Sequence, residues 1–214
     1  MNATSSRLVG RPKDMEKRAA ILQAASRLIL DLGFERATVD AIAAAAGVSK
    51  LTVYSHFADK EGLFVALIGA KCDEHFEARE FVELAPLGPR EALTRIASAF
   101  LALMYHPDVI ALHRVLMTAA SAETHMNEAF WRAGPAPLLA ELARLLARFD
   151  TAGQLDVTHG ARAADQFLSM LKGSDHLRVL LGVGETPSAA TLAALAAETV
   201  TMFLRAYARA GRDE

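Results

Sequence analysis

Apolar residues recur at intervals of three and four positions along most of the chain, which is the spacing of one face of an α-helix. Strict alternation of apolar and polar positions, the pattern of a half-buried strand, is nearly absent. Glycines and prolines fall between the periodic segments and mark where one helix ends and the next begins. The pattern therefore predicts an all-α protein.

Four helices are predicted in the N-terminal part of the chain. The first covers residues 14–32 and ends at Gly33, since glycine adopts the left-handed conformation that often closes a helix. Thr38 can cap a short second helix that extends to residue 46.

A tight turn at Gly47 separates the second helix from a third, which Ser49 can cap and which reaches residue 56. Asp59 can cap a longer fourth helix. Two short helices joined by a glycine turn have the outline of a helix-turn-helix, although packing alone produces the same outline. Whether this outline marks a DNA-binding motif therefore depends on the residues that occupy it.

Longer helices are predicted in the remainder of the chain. Residues 84–89 hold two prolines and a glycine and predict a break between the first four helices and the later ones. Apolar helices are then expected over five ranges: 90–105, 108–123, 126–149, 160–181 and 188–210. Gly134, Pro135 and Pro137 lie inside the third range, so that helix is expected to be bent or split.

Composition narrows the class of protein further. Hydrophobic residues make up 52% of the 214 positions, enough for a large core. Cys72 is the single cysteine, so no internal disulfide is expected and a reducing cytoplasm fits best. No apolar run approaches the roughly 20 residues that span a bilayer, and the first 20 positions lack a signal-peptide core. We therefore expect no membrane partner.

Charge is distributed unevenly along the chain. The net charge is −2, yet residues 1–60 contain nine Lys and Arg against six Asp and Glu, whereas the rest of the chain is acidic. A basic N-terminal part is compatible with a nucleic-acid partner, but it supports one only together with a motif.

Motifs for catalysis or metal binding are not found in the sequence. The seven histidines form no H-E-x-x-H pattern, and His106, His113 and His125 lack the cysteine or histidine neighbours of a zinc site. We therefore predict no enzyme activity, catalytic residue, cofactor or metal. Cys72 is interpreted as a small buried hydrophobe rather than a redox sensor.

The residues in and around the helix-turn-helix outline carry a family resemblance. The turn and third helix read V-S-K-L-T-V-Y-S-H-F-A-D-K-E-G-L from Val48 to Leu63, preceded by G-F-E-R-A-T-V-D-A-I-A-A-A-A-G. Over about residues 18–68 this resembles the TetR family of repressors, and Y-x-H-F-x-x-K-E-x-L is its most specific part. The resemblance implies a dimer that binds DNA through this motif.

The third predicted helix has one apolar face and one exposed face. A helix that enters the major groove requires both, because one face packs on the protein and the other contacts the bases. Val53 and Phe57, four residues apart, are expected to face the core. The solvent side then holds four candidate base readers: Lys50, Leu51, Thr52 and Ser55. Lysine can donate to guanine, threonine can bond a base edge, and leucine can contact a thymine methyl. Ordinary solvated surface is the alternative for each.

Phosphate contacts are expected at helix ends, where free amides and the helix dipole favour anions. Thr38 and Lys60 stand at the starts of the second and fourth helices, and Tyr54 and His56 resemble the family's phosphate-contacting residues. The alternatives are a half-buried packing role for Tyr54 and a capping role for His56.

Two positions complete the predicted DNA-binding set. Ser49 lies at the cap of the third helix, and Arg11 lies in a basic arm that can enter the minor groove or stay a solvated tail. Leu51 and Ser55 depart from the family pattern, which often has glycine or proline at the first position and a larger polar residue at the second. The operator sequence therefore does not follow from the resemblance.

Similarity to the AefR-like branch of the family lies in F-W-R-A-G-P-A-P-L from Phe130 and A-D-Q-F-L-S-M-L-K-G from Ala164. The broader resemblance to the TetR family implies dimerisation through the last two long helices, with eight predicted interface residues: Phe167, Leu171, Ser174, Ala190, Ala193, Ala197, Thr201 and Leu204. It also implies an effector pocket, with aromatic, methionine and histidine candidates: Phe100, Met104, His113, Met117, Phe130, Trp131 and Met170. Plain core is the alternative for both sets.

Three parts are predicted: a basic arm over residues 1–13, a three-helix DNA-binding domain over residues 14–60, and a larger helical ligand-binding and dimerisation domain over residues 61–214, joined through the fourth helix.

The expected function is that of a ligand-responsive repressor that binds a palindromic double-stranded DNA operator as a homodimer. Its small-molecule effector is not identified by the residues. A transcriptional activator or a ligand-independent repressor is the alternative, and a helical small-molecule-binding protein or enzyme is the least favoured one.

Overall fold

The structure, a computed structural model, describes residues 11–74, 78–119 and 124–209. Helices account for all its regular secondary structure, and the described residues contain no strand, which confirms the all-α prediction. In chain order the elements are α1 (Arg11–Leu32), α2 (Val39–Ala45), α3 (Lys50–His56), α4 (Lys60–Asp73), α5 (Ala78–Leu84), a 3₁₀ turn (Ala85–Leu87), α6 (Pro89–Met104), α7 (Pro107–Ala119), α8 (Thr124–Ala133), α9 (Pro135–Thr151), α10 (Gly160–Leu180) and α11 (Ala189–Ala206).

Two compact units make up the chain, and the division falls between Leu67 and Ile68, inside α4. The sequence predicted the break at residues 84–89, but this segment lies wholly within the second unit. There Gly88 ends the short 3₁₀ turn and precedes Pro89 at the first position of α6. The predicted domain limits at residues 60 and 61 stay a prediction.

The N-terminal unit forms a small helical core, which includes the fully buried side chains of Ile21, Ile42 and Phe64. All three predicted side-chain caps are present. The Oγ1 of Thr38 accepts from the amide of Ala41 at 3.2 Å, Ser49 accepts from Thr52 at 3.1 Å, and Asp59 accepts from Gly62 at 2.7 Å. Each cap satisfies an amide that lacks a partner within its helix, which explains why these short helices start where they do.

The start of α1 differs from the prediction. The helix begins at Arg11, three residues before the expected start at residue 14, so the last part of the predicted basic arm is helical. Residues 1–10 of that arm lie outside the described residues, and so does the side chain of Arg11.

The C-terminal unit packs around a separate core in which α6 contributes one continuous apolar face. The predicted helix over residues 126–149 is split, as expected, at Gly134, which separates α8 from α9. A Cβ on Gly134 would lie 3.1 Å from the Cγ2 of Ile68, a tighter contact than most Cβ atoms make, so a larger residue here requires the Ile68 side chain to shift by a few tenths of an ångström. The short helix α5 was not anticipated by the sequence pattern.

A break in α10 is the main departure from the predicted helices. Gly173 has φ +55° and ψ −165°, a conformation outside the helical region, so the expected single helix is two segments. Glycine tolerates this conformation, whereas a residue with a Cβ would be strained. The break changes the direction in which the last part of α10 presents its side chains.

Among the described helices, α11 has the length and the apolar composition needed to cross a membrane. The pair formed by α6 and residues 107–117, which is bent between the two helices, meets the same criterion only if it is counted as one span. Such helices are weak evidence, because core helices of other proteins pass it too. Only 22% of α11 is buried within the protomer, which leaves much apolar surface for another contact.

Candidate nucleic-acid interface and ligand cavity

The helix-turn-helix is held together by backbone hydrogen bonds across its turn. Gly47 has φ +66°, and its amide donates to the carbonyl of Ala44 at 3.2 Å, while the amide of Val48 donates to Ala43 at 3.0 Å. The left-handed conformation at Gly47 reverses the chain within three residues. As a result, α3 starts directly after the turn with Ser49 as its cap.

The inner face of α3 is as predicted. Val53 and Phe57 are buried, and the guanidinium of Arg18 lies over the ring of Phe57 at 5.2 Å. On the opposite side Leu51 is 78% exposed and Tyr54 is 43% exposed. An exposed leucine can contact a thymine methyl and an exposed tyrosine can donate to a phosphate, so this face of α3 is a candidate contact surface.

Lys50 belongs to the exposed face but is held by α2. Its Nζ lies 2.9 Å from Oδ2 of Asp40, and both side chains are exposed. The hydrogen bond and the charge of Asp40 raise the pKa of Lys50. A DNA phosphate or guanine must therefore compete with Asp40 for this ammonium.

The hydroxyl groups of α3 bond to one another. The Oγ of Ser49 lies 2.8 Å from Oγ1 of Thr52, and Ser55 donates its proton to the carbonyl of Thr52 at 2.7 Å. A hydroxyl that donates within its own helix still has lone pairs that can accept from a base. Ser55 thus keeps lone pairs to accept from a base, whereas in the Ser49–Thr52 pair either hydroxyl can be the donor.

Two predicted phosphate-binding residues are tied into the N-terminal unit. The side chain of His56 is only 9% exposed, and its Nε2 lies 3.1 Å from Oδ1 of Asp14 on α1. Lys60 donates to the carbonyl of Glu35 at 3.1 Å, with its Nζ 4.2 Å from the ring centre of Phe34. Thr38 and Tyr54, by contrast, are exposed. The structure therefore brings Thr38, Tyr54 and the base-reader face into one accessible area and leaves His56 mainly in a packing position.

A cavity of about 290 Å³ lies within the C-terminal unit. Five of the predicted pocket residues line it: Phe100, Met104, His113, Phe130 and Trp131. Met117 and Met170 do not line it, because both side chains point to the surface of the protomer. Periodicity places a methionine on a helix but does not say which neighbouring helix, if any, covers it.

Polar residues of the cavity wall were missed by sequence reasoning. Lys71 and Cys72 enter from α4, and Asp165, Ser169 and Lys172 enter from α10. The last three follow a spacing of four and three, so they share one helical face, and that was the available signal. Burial raises the pKa of Cys72 to about 11, so the thiol stays protonated, in line with the small-hydrophobe interpretation.

His113 is the most enclosed polar group of the wall. Its Nδ1 lies 2.8 Å from the carbonyl oxygen of Val109, and its ring meets that of Phe130 edge to face at 5.5 Å. Burial lowers the pKa of His113, so the ring is neutral at neutral pH. Behind it lies His176, whose pKa burial lowers to about 4.

The predicted dimer residues separate into two groups. Phe167 and Leu171 are completely buried in the protomer's own core, where Phe167 packs on Phe203 with ring centres 5.0 Å apart, so this part of the prediction is corrected. The remaining six are exposed or partly exposed: Ser174, Ala190, Ala193, Ala197, Thr201 and Leu204.

Met170, Ser174 and Leu177 of α10 and Leu181 directly after it are exposed, with Met170 before the break at Gly173 and the other three beyond it. Met170, Leu177 and Leu181 were not predicted as interface residues. We call these four residues, together with the exposed residues of α11, the α10–α11 stripe.

Family models match both units of the chain. Residues 21–67 match the model described as bacterial regulatory proteins, tetR family, and residues 91–209 match the AefR-like transcriptional repressor, C-terminal domain. Among characterised relatives, the HTH-type transcriptional regulator EthR of Mycolicibacterium smegmatis is 35% identical over 88 residues, which cover 40% of each chain. The HTH-type transcriptional activator FasR of the same organism is 42% identical over 62 residues, 29% of this chain and 28% of FasR. The chain thus spans less than half the length of either relative.

Solved structures match over nearly the full length. A TetR-family regulator from Mesorhizobium loti has a TM-score of 0.76 at 23% identity, covering 92% of this chain and all of that one. The flavonoid-responsive regulator FrrA has a TM-score of 0.71 at 30% identity, with the same coverage.

Proposed function

Because the chain belongs to the TetR family of transcriptional regulators, with an AefR-like C-terminal domain, we propose that it is a dimeric repressor of transcription. It binds a palindromic DNA operator and releases it when a small molecule occupies the cavity. Residues 14–60 bind DNA, and residues 61–214 bind the effector and the second protomer. The observation that carries this proposal is the exposed face of α3, set on a capped helix-turn-helix.

We assign the DNA contacts by exposure and chemistry. Leu51 contacts a thymine methyl, and Lys50 donates to a guanine or a phosphate. Thr52 and Ser55 accept from base edges, and Tyr54 donates its hydroxyl to a phosphate.

The remaining residues of the predicted set act mainly on the backbone of the duplex. Thr38 and Ser49 present the amides of two helix starts to phosphates. Lys60 adds charge beside them, His56 orients α3 from within, and Arg11 extends the basic surface.

The α10–α11 stripe is the proposed dimer interface. Alanines on α11 let a second helix approach closely, and the exposed leucines of α10 supply apolar area to bury. In a two-fold dimer both stripes meet their own copies. Two α3 helices can then reach successive major grooves, about 34–36 Å apart.

An operator-binding assay tests the proposed function directly. Full-length protein is titrated into a labelled palindrome from the region upstream of its own gene, and into a random duplex of equal length, at about 0.15 M salt. A preference of at least about a thousandfold for the palindrome is expected. Equal affinity for the two duplexes contradicts the proposal.

Activation is a second candidate, favoured by the similarity over 62 residues to FasR, which is named an activator. A transcription assay with the same palindrome placed upstream of a reporter separates the two. Repression predicts less transcript when protein is added, and activation predicts more.

Asp40→Asn should strengthen DNA binding. The substitution removes the carboxylate that holds Lys50 and also repels phosphates, so the lysine becomes free for the duplex. We expect affinity for the operator to rise by about three- to fivefold at low salt, because exposed ion pairs are weak. Anisotropy titrations at several salt concentrations measure the change.

Asp31→Asn is the matched control for that change, because Asp31 is an exposed acid of the same unit and has no ion pair among the described residues. If both variants gain equally, the effect comes from net charge and the Asp40–Lys50 pair has no specific role.

A further inference from the structure

One ring nitrogen of His113 is available to a ligand, and its role can be assigned. A carbonyl oxygen only accepts hydrogen bonds, so the Nδ1 that lies 2.8 Å from the carbonyl of Val109 carries the proton. The other nitrogen, Nε2, then holds a lone pair and can only accept. It has no hydrogen-bond partner within the described part of the chain, and the residue lines the cavity. Since burial keeps the ring neutral, the cavity contains a fixed acceptor.

Lys172 supplies a positive charge to the wall of the same cavity. After burial, this charge is one of the causes that lower the pKa of both His113 and His176. Among the described residues Lys172 has no ion-pair partner. Asp165, the carboxylate of the wall, precedes it by seven residues on α10, a separation of about 10 Å along a helix.

The second lysine of the wall is already neutralised. The Nζ of Lys71 lies 3.2 Å from Glu74 and 3.4 Å from Asp108, so it is held in a network of carboxylates. Besides the exposed Trp131, Asp165 and Ser169, the polar groups of the wall that have no partner among the described residues are an acceptor, Nε2 of His113, and a cationic donor, Nζ of Lys172.

The rest of the wall is apolar and partly aromatic. Phe100, Phe130 and Trp131 line it together with leucines from α6, α7 and α9. The volume of about 290 Å³ is at the lower end of the range of pockets that hold small organic ligands, about 300–1,000 Å³. Such a space takes a ligand of one or two rings.

We propose that the effector is a small hydroxyaromatic compound whose phenolic hydroxyl donates to Nε2 of His113 and accepts from Nζ of Lys172. A hydroxyl is both donor and acceptor, so one group satisfies both residues. A carboxylate would bring only acceptor oxygens toward the lone pair of His113, and an ammonium would be repelled by Lys172. A phenol, with a pKa near 10, is also a stronger donor than an aliphatic alcohol. This proposal depends on the proposed function in one respect only: it takes the ligand of this cavity to be the effector.

The test compares three compounds of one shape: 4-tert-butylphenol, 4-tert-butylbenzoate and tert-butylbenzene. Binding to the full-length dimer is measured by calorimetry, and fluorescence of Trp131 reports on the location, because it is the chain's only tryptophan and lines the cavity. We expect the phenol to bind at least about tenfold more tightly than either of the others, the effect of one well-made hydrogen-bond pair.

Two substitutions link the preference to the assigned atoms. His113→Phe retains a ring against Phe130 but removes Nε2, and Lys172→Met removes the charge. Each substitution should reduce the ratio of phenol affinity to hydrocarbon affinity to about threefold or less. Affinity for the hydrocarbon should stay within about twofold of the parent value, which shows that the cavity is intact. Arg148→Met, which removes an exposed cation elsewhere in the unit, is the control and should retain the full preference.

Three results would overturn the proposal: tighter binding of the benzoate, equal binding of phenol and hydrocarbon, or an unchanged preference in both variants. Absence of binding by all three compounds would overturn it too. The operator assay is run separately on ligand-free protein, so loss of operator preference counts against the proposed function and not against the ligand assignment.

Discussion

Exchanging Lys50, Thr52 and Tyr54 together for alanine should abolish specific operator binding, with a loss of at least about a thousandfold. Each good base contact contributes about 1–3 kcal/mol of discrimination, so loss of the contacts of Lys50 and Thr52, together with the phosphate contact of Tyr54, lowers affinity toward the level of random DNA. The side chains are exposed or half-exposed, so their truncation leaves the core of the N-terminal unit untouched. Anisotropy titration with the palindrome measures the loss, and circular dichroism checks the fold.

Two controls keep this experiment interpretable. A second triple variant carries alanine at three exposed positions of the C-terminal unit, Arg148, Gln154 and Thr158, and should bind the operator as the parent protein does. Ligand binding should be intact in both variants, because the cavity lies wholly within residues of the C-terminal unit. If the first variant retains its operator affinity, α3 is not the helix that reads DNA.

Leu177→Glu should convert the proposed dimer into a monomer. Leu177 is 51% exposed in the protomer, so the substitution costs the isolated chain little, whereas in the dimer two carboxylates would be buried against apolar stripes. We expect the dissociation constant of the dimer to rise by at least about a hundredfold. Operator affinity should fall by about a hundredfold or more, because the two half-sites are no longer bound by one linked molecule. Analytical ultracentrifugation measures the first effect and anisotropy the second.

Val82→Glu is the matched control for Leu177→Glu. Val82 is a comparably exposed apolar residue on α5, outside the α10–α11 stripe, and the same charge there should leave the dimer unchanged. Dissociation caused by the change at Val82 but not at Leu177 would move the interface away from the stripe.

Local chemistry explains why the helix-turn-helix was predictable. Thr38 and Ser49 accept from amides three residues along, and the turn at Gly47 depends on one residue's backbone freedom. The inward positions of Val53 and Phe57 follow from the period of a single helix. None of these features needs information from a distant part of the chain.

The cavity and the stripe were only partly predictable, because a helical period defines faces without saying what covers them. Phe167 and Met170 lie three residues apart on α10, yet Phe167 packs against Phe203 in the core and Met170 is exposed. Gly173 also breaks α10, and a lone glycine within an apolar period does not reveal a break of this kind.

Interactions within a few residues are enough to specify the all-α class, the caps and turn of the helix-turn-helix, and the face of α3 that is left exposed, so the sequence predicts all of these. The pairing of charged groups depends instead on the folded chain: Lys50 with Asp40 ten positions away, His56 with Asp14, and Lys71 with Asp108. The same holds for His113 and Lys172, which come from different helices and line one cavity. Hydrogen bonds and ion pairs act over a few ångströms, and only tertiary packing brings such distant positions that close.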